Sequence, residues 1–222
     1  MRQATASGRT GWGRRGLFGA LLAGAALGAG CGGDSGPLGP NPPPGPKPQA
    51  QLTFLRPDAA APALQTTDTS FVATRGVGQK VEIFYAPLPG QSSGEEFLEF
   101  ELKDRSLRQY PPGHPKAGQT FANGDTITIT IRVDSGLLGA TLEPSGLLFD
   151  PANPAELEIR YQNADPDFDD DGLPDPELEG EIDLWRQEKP GDLWEPVGRI
   201  KDLELDRIRA FLDGFSRYAL AF

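Results

Sequence analysis

Several residue types that build catalytic and structural metal sites are nearly missing from this sequence. Its 222 residues include one cysteine, Cys31, and one histidine, His114. A single cysteine cannot close an intrachain disulfide, and a single histidine cannot supply a zinc site made of several imidazoles. Stability must therefore come from an apolar core, with or without a bound ion that oxygen ligands can hold.

Basic residues are outnumbered, and long apolar runs are absent. The chain has 21 Lys and Arg against 32 Asp and Glu, for a net charge of −11. Residues 1–30 contain four arginines and no acid, so the rest of the chain is more acidic still. Such a surface repels nucleic acid and anionic headgroups, which excludes DNA, RNA and a basic membrane-binding face. The apolar run at 17–30 is too short for a stable membrane span.

The first 31 residues have the order of an export signal. Arg14 and Arg15 precede the apolar run, and small residues lead to Cys31. The sequence LGAGC at 27–31 resembles the lipobox of bacterial lipoproteins, which implies that Cys31 is acylated and becomes the first residue of the mature protein. The paired arginines also resemble a twin-arginine signal, which implies export in the folded state. We expect an exported, lipid-anchored protein, with the outer membrane or cell surface favoured because glycines follow Cys31.

Composition divides the rest of the chain into a spacer and a domain. Residues 31–50 are mostly Gly, Pro and small polar residues, which favour an extended, disordered linker and cannot form a core. Residues 51–222 have the length of a single domain with a sizeable core.

The domain shows the period-two alternation of half-buried β-strands. The clearest case is 125–133, where Ile127, Ile129 and Ile131 alternate with threonines. Turn residues separate the candidates, so the sequence predicts an all-β, antiparallel β-sandwich. The predicted strands are 79–86, 96–103, 125–133, 155–161, 181–186, 193–199, 207–212 and 218–222.

The C-terminal half resembles a known sandwich. The segments of this chain that carry the resemblance are LEPSGLLFD at 142–150, Pro154, the strand at 157–161, Leu184-Trp185, WEP at 194–196 and GFSRYAL at 214–220. They resemble the ZU-five domain of netrin receptors, ankyrins and tight-junction proteins. The resemblance implies that 120–222 form this sandwich and that 68–119 add N-terminal strands.

The sharpest motif is the acidic loop at 165–179, which holds eight acidic residues and no basic one. Its carboxylates alternate along the chain and Gly172 allows a tight turn, an arrangement that can wrap one hard cation in oxygen ligands. The loop resembles a thrombospondin type 3 repeat, which implies calcium. The predicted ligands are Asp165, Asp167, Asp169, Asp171, Asp175 and Glu177. Because Leu178 stands at the twelfth position, the bidentate ligand is missing and weak, extracellular-type affinity is expected. The alternative is a solvated loop between strands.

Other chemistries remain open at this stage. Some relatives of the ZU-five sandwich cleave themselves at His-Phe-Ser; here Gly214 precedes Phe215 and Ser216, so a positioned base is missing. Trp185 and Trp194 are candidates for sugar stacking, against a core role. The preferred prediction is a non-enzymatic interaction or envelope-structural module with an envelope protein or glycan as partner. The alternatives are a carboxylate-based glycan hydrolase, a self-cleaving sandwich, and a subunit of a larger envelope assembly.

Overall fold

The computed structural model describes residues 44–222. The export signal, Cys31 and most of the predicted linker lie outside the described residues. Among residues 44–222, no helix has the length and apolar character needed to cross a bilayer.

The described chain is built from thirteen strands and three single-turn 3₁₀ helices. The 3₁₀ turns are Gln49–Gln51, Glu179–Glu181 and Leu203–Leu205. The strands are β1 Asp68–Thr74, β2 Gln79–Phe84, β3 Glu96–Leu102, β4 Leu107–Gln109, β5 Thr126–Val133, β6 Gly139–Glu143, β7 Leu148–Phe149, β8 Ala155–Arg160, β9 Asp183–Gln187, β10 Trp194–Pro196, β11 Arg199–Asp202, β12 Arg207–Leu212 and β13 Arg217–Ala221.

Two antiparallel sheets pack face to face, which confirms the predicted all-β sandwich. The six-stranded sheet has the order β1-β5-β6-β13-β9-β10, and the five-stranded sheet has the order β11-β12-β8-β3-β2. Strands β4 and β7 form a separate short ribbon. Every pairing is antiparallel, and many neighbours in the sheets are distant in sequence.

The core lies between the two sheets. Strand β5 follows the prediction: Ile127, Ile129 and Ile131 are buried, and Thr128 between them is exposed. The opposing sheet contributes side chains such as Phe100, whose ring lies 5.6 Å from the ring of Phe215. Alternation of side chains across each strand therefore gives both sheets one apolar inner face.

One predicted strand is only partly right. The range 193–199 contains β10 and then the first residue of β11, and these strands belong to different sheets, since β10 pairs with β9 whereas β11 pairs with β12. The chain crosses between sheets at Val197 and Gly198. Alternation alone could not locate this crossing, because both pieces continue an extended backbone.

A segment near the start of the described chain covers the outer face of the six-stranded sheet. Lys47 exchanges two backbone hydrogen bonds of 2.8 Å with Trp194. Leu52 and Phe54 pack with Trp185 and Trp194 in a small second apolar cluster. The contacts of the fold thus begin before residue 51.

Candidate metal centre

The acidic loop connects β8 to β9 and is fastened at its base to the segment that precedes β1. The amide of Asp165 donates to the carbonyl of Arg56 at 2.9 Å, and Pro57 and Ala164 form an isolated bridge. The amide of Asp175 donates to the carbonyl of Pro166 at 2.9 Å, which closes the loop on itself. Both ends of the acidic run are therefore held by backbone contacts.

Three carboxylates converge inside this loop. Asp167, Asp169 and Asp175 each offer an oxygen, and these oxygens lie within 4.8 Å of one another. The carboxylate of Asp167 accepts hydrogen bonds from the amides of Asp171 at 2.9 Å and Gly172 at 2.8 Å. Gly172 has φ +92°, a left-handed conformation that glycine adopts without steric cost. The chain thus turns tightly around the carboxylate of Asp167.

Asp175 anchors the cluster to the domain. Its side chain is buried, and one carboxylate oxygen accepts from the amides of Phe168 at 2.8 Å and Asp169 at 3.1 Å. Phe168 in turn packs against the main core. A buried carboxylate needs such hydrogen bonds, because an uncompensated buried charge is costly.

The electrostatics of the cluster disfavour three ionised carboxylates without a counter-ion. The pKa of Asp169 is raised above its ordinary value, first by desolvation and then by the negative charges of Asp175 and Asp171. Arg56 pairs with Asp170 at 3.2 Å, on the exposed side of the loop, rather than with the three converging residues. A divalent cation at the centre would remove this repulsion.

The other predicted ligands lie outside the converging group. Asp165 accepts a hydrogen bond from the amide of Asp167 at 3.1 Å, and Asp171 accepts one from the amide of Leu173 at 2.9 Å. Glu177 is exposed. These carboxylates do not share the 4.8 Å cluster. The first two shape the turn through their own backbone contacts.

A second carboxylate group was not foreseen from the sequence. Glu82, Glu96 and Glu99, from β2 and β3, also offer oxygens within 4.8 Å of one another. Here a cation is already present, because the ammonium group of Lys80 lies 2.8 Å from both Glu82 and Glu99. Cross-strand register brings these residues together, and no local motif could have signalled it.

Ser216, which was weighed as a cleavage nucleophile and lacks a positioned base, lies in a packed environment. Phe215 is buried against Phe149 and Phe100, and the hydroxyl of Ser216 lies 3.4 Å from a carboxylate oxygen of Glu188. A Cβ atom at Gly214 would lie 2.9 Å from the carbonyl oxygen of Leu147. Close packing therefore favours glycine at this position.

Two further features bear on catalysis and sugar stacking. Trp185 and Trp194 are almost fully buried, so neither exposes a ring face to a ligand. The segment Gly90-Gln91-Ser92-Ser93-Gly94 has the G-x-S-x-G spacing found around the nucleophile of some hydrolases. It lies in the turn between β2 and β3 and leads into a strand, whereas a nucleophile elbow leads into a helix.

Comparisons with known proteins give no match: no protein-family model, no curated protein and no solved structure is significantly similar to this chain. Function therefore has to be inferred from the fold and the geometry of its side chains.

Proposed function

We propose that this chain is an exported, lipid-anchored protein whose β-sandwich is stabilised by calcium and serves as a non-enzymatic interaction module. The single observation that carries the calcium proposal is the convergence of Asp167, Asp169 and Asp175. The supporting arguments are geometric and electrostatic.

The spacing of the three oxygens suits calcium. Calcium takes oxygen ligands at about 2.3–2.6 Å, so two oxygens on one ion are at most about 5 Å apart. Oxygens within 4.8 Å of one another fit that limit. Asp167, Asp169 and Asp175 also match positions 1, 3 and 9 of a calcium loop, with Gly172 at position 6. The second carboxylate group differs, because Lys80 already pairs with two of its three members.

The expected role of the ion is structural. The loop contacts the main core through Phe168 and the N-terminal segment through Arg56 and Pro57. An ion that tightens the loop would stabilise both contacts, because a ligand that binds only the folded chain adds to its stability.

Lipid attachment at Cys31 is the second part of the proposal, and its support is the order of residues 1–31. The full chain, produced in a bacterium, should give a membrane-bound product whose N-terminal peptide begins with acylated Cys31. Cys31→Ser should release it to the soluble fraction. Replacement of Arg14 and Arg15 by lysine should block export only if the twin-arginine route is used. An unmodified Cys31 would overturn the anchor.

The ZU-five relationship also stays a proposal. An antiparallel sandwich is compatible with it, but many unrelated families share that architecture. The interaction role does not depend on the relationship.

One observation favours a second candidate function, a subunit of a larger envelope assembly. Large apolar side chains are exposed on the β11–β12 hairpin and on the 3₁₀ turn between its strands; they are Ile200, Leu203, Leu205 and Phe211. Exposed apolar groups concentrated on one hairpin are typical of contact surfaces. The hydrolase alternative has weaker support, because the carboxyl groups with raised pKa, Glu96, Asp169 and Asp206, do not line a common cavity in the described chain.

The calcium proposal is tested by thermal unfolding of the full chain in millimolar calcium and in chelator. At 100 times the dissociation constant the ion should contribute about 2.7 kcal/mol, which raises the midpoint by several degrees. Asp167→Asn and Asp169→Asn should abolish the shift. Glu177→Gln is the matched control and should keep it, because Glu177 lies outside the converging group. Equal midpoints in calcium and chelator for the unmodified chain would refute the proposal.

A further inference from the structure

A groove crosses the outer face of the six-stranded sheet, and no residue of the acidic loop lines it. Its volume is about 560 Å³, within the range of ligand sites in proteins. The floor comes from β5, β6, β13 and β9, and the walls come from the turns after β6 and β9. We call it the outer groove; its lining includes Thr128, Thr141, Pro144, Gln187, Pro190 and Arg217.

The floor presents threonine hydroxyl groups in fixed positions. Thr141 is directly opposite Arg217, and Arg217 is directly opposite Gln187, so these side chains stand in a row across three strands. Gln187 is only 2% exposed, and its amide nitrogen donates to the carbonyl of Asp192 at 3.0 Å. The hydroxyls of Thr128 and Thr141 make no hydrogen bond within the described part of the chain. They are therefore free to bond a ligand.

The outer groove continues into a second one of about 670 Å³, since Thr128 and Pro144 line both. The second groove runs over Val72 and Thr126 to a proline-rich turn that carries His114. Four adjacent strands from β5 to β9 span about 14 Å at the usual strand spacing of about 4.8 Å. The combined surface suits an extended chain molecule better than a compact one.

A rigid ring platform lies at one end of this surface. The ring of His114 stacks on Tyr110 with centroids 4.4 Å apart, and Tyr110 stacks on Phe121 with centroids 3.7 Å apart. His114 lines the second groove. A ring supported by two others loses little conformational entropy when an apolar ligand face packs on it.

The outer groove carries no excess of positive charge, because Glu188 in its lining accepts a hydrogen bond from Ser216 and makes no ion pair within the described part of the chain. Arg217, the basic residue of its lining, pairs with Asp134 at 2.6 Å and lies 5.5 Å from the centre of the Trp194 ring. Glu143 pairs with Arg132 at 3.1 Å. With a net charge of −11 and no uncommitted cation in the lining, the surface disfavours an anionic ligand.

We propose that the outer groove and its extension bind a neutral polysaccharide chain. Hydroxyl-rich sugars match the free threonine hydroxyls, and a sugar ring face matches the His114 platform. The proposal names the ligand of the interaction module and rests on that part of the proposed function. It does not depend on the calcium loop, which contributes no lining residue.

The test is a calorimetric titration of the full chain with cellohexaose, chitohexaose and maltohexaose, and with a neutral peptide of alternating glycine and serine. At least one hexasaccharide should bind saturably at millimolar concentration, and the peptide should not. The proposal is overturned if no hexasaccharide binds, or if the peptide binds equally well. The effect of calcium on thermal unfolding, measured on the same sample, should be the same in either case, so the two proposals can fail separately.

A double variant and a control variant test whether the sugar binds in the outer groove. The double variant Thr128→Val, Thr141→Val removes two free hydroxyls with little change of shape and should weaken binding about tenfold. Thr74→Val is the matched control; Thr74 pairs with Thr126 on the same sheet but lines neither groove. Unchanged affinity in the double variant, with an unchanged unfolding midpoint, would show that sugars bind elsewhere and would overturn the assignment.

Discussion

Replacement of Glu158 by glutamine tests the largest electrostatic network of the fold. Glu158 lies on β8 and is only 3% exposed, although its strand position is on the outer side of the sheet. One of its carboxylate oxygens lies 2.9 Å from the guanidinium of Arg209 and 3.5 Å from that of Arg207. The other lies 3.3 Å from Arg160. Three arginines therefore surround one carboxylate and screen it from water.

The cost of Glu158→Gln follows from this geometry. Loss of one partner of a fully buried ion pair costs about 3–5 kcal/mol. Here the arginines are partly exposed, and each has a second partner, such as Asp202 at 2.9 Å from Arg207. We therefore expect a loss of about 2–3 kcal/mol in the free energy of unfolding, near that of one or two charged hydrogen bonds.

Urea unfolding measures this loss as a lower midpoint at unchanged slope. Glu195→Gln is the matched control, since Glu195 pairs with Arg186 at 2.8 Å but its side chain is 52% exposed. An exposed pair contributes about 0.2–1 kcal/mol. If Glu158→Gln costs no more than Glu195→Gln, then burial does not strengthen the network and the reasoning fails.

Three further predictions concern the loop and the core. In chelator, the raised pKa of Asp169 means that the folded chain binds this proton more tightly than the unfolded chain, so stability should fall as pH rises above the ordinary aspartate range. Asp169→Asn should remove that dependence. If urea unfolding gives the same pH profile for this variant and for the unmodified chain, the prediction is refuted. Phe215→Ala should cost about 3–5 kcal/mol in urea unfolding, because it leaves a core cavity beside Phe149; a loss below about 1 kcal/mol would contradict that packing. Gly139→Ala should lower the thermal midpoint strongly, because its Cβ would lie 2.3 Å from the carbonyl oxygen of Tyr218; an unchanged midpoint would contradict this close approach.

The acidic loop shows which features of a site a sequence motif can predict and which it cannot. Alternating carboxylates and Gly172 correctly indicated a tight turn, because that geometry is set by adjacent residues. The motif could not separate Asp167, Asp169 and Asp175 from Asp165, Asp171 and Glu177. That division depends on how the loop folds back on itself, since the backbone hydrogen bond from Asp175 to Pro166 brings Asp175 beside Asp167 and Asp169.

Strand prediction worked where alternation was strong. The predictions for 79–86, 96–103, 125–133, 155–161, 181–186, 207–212 and 218–222 agree with strands of the structure within two residues. Individual strands were not predicted at β1, β4, β6, β7 or β11. Strand β6 begins with Gly139, which permits close contact with β13 and carries no side chain that could signal a strand. A polar stretch such as β1 becomes a strand because it pairs along its whole length with β5.

By itself, the sequence determined the features that depend on near neighbours: the strand faces, the tight acidic turn and the all-β class. Side-chain direction alternates within each strand, so an alternating pattern already specifies which side is buried. Tertiary structure alone decided the order of strands, the burial of Glu158 beneath three arginines and the groove across four strands. These features join residues far apart in the chain, whose meeting is set by sheet register and packing.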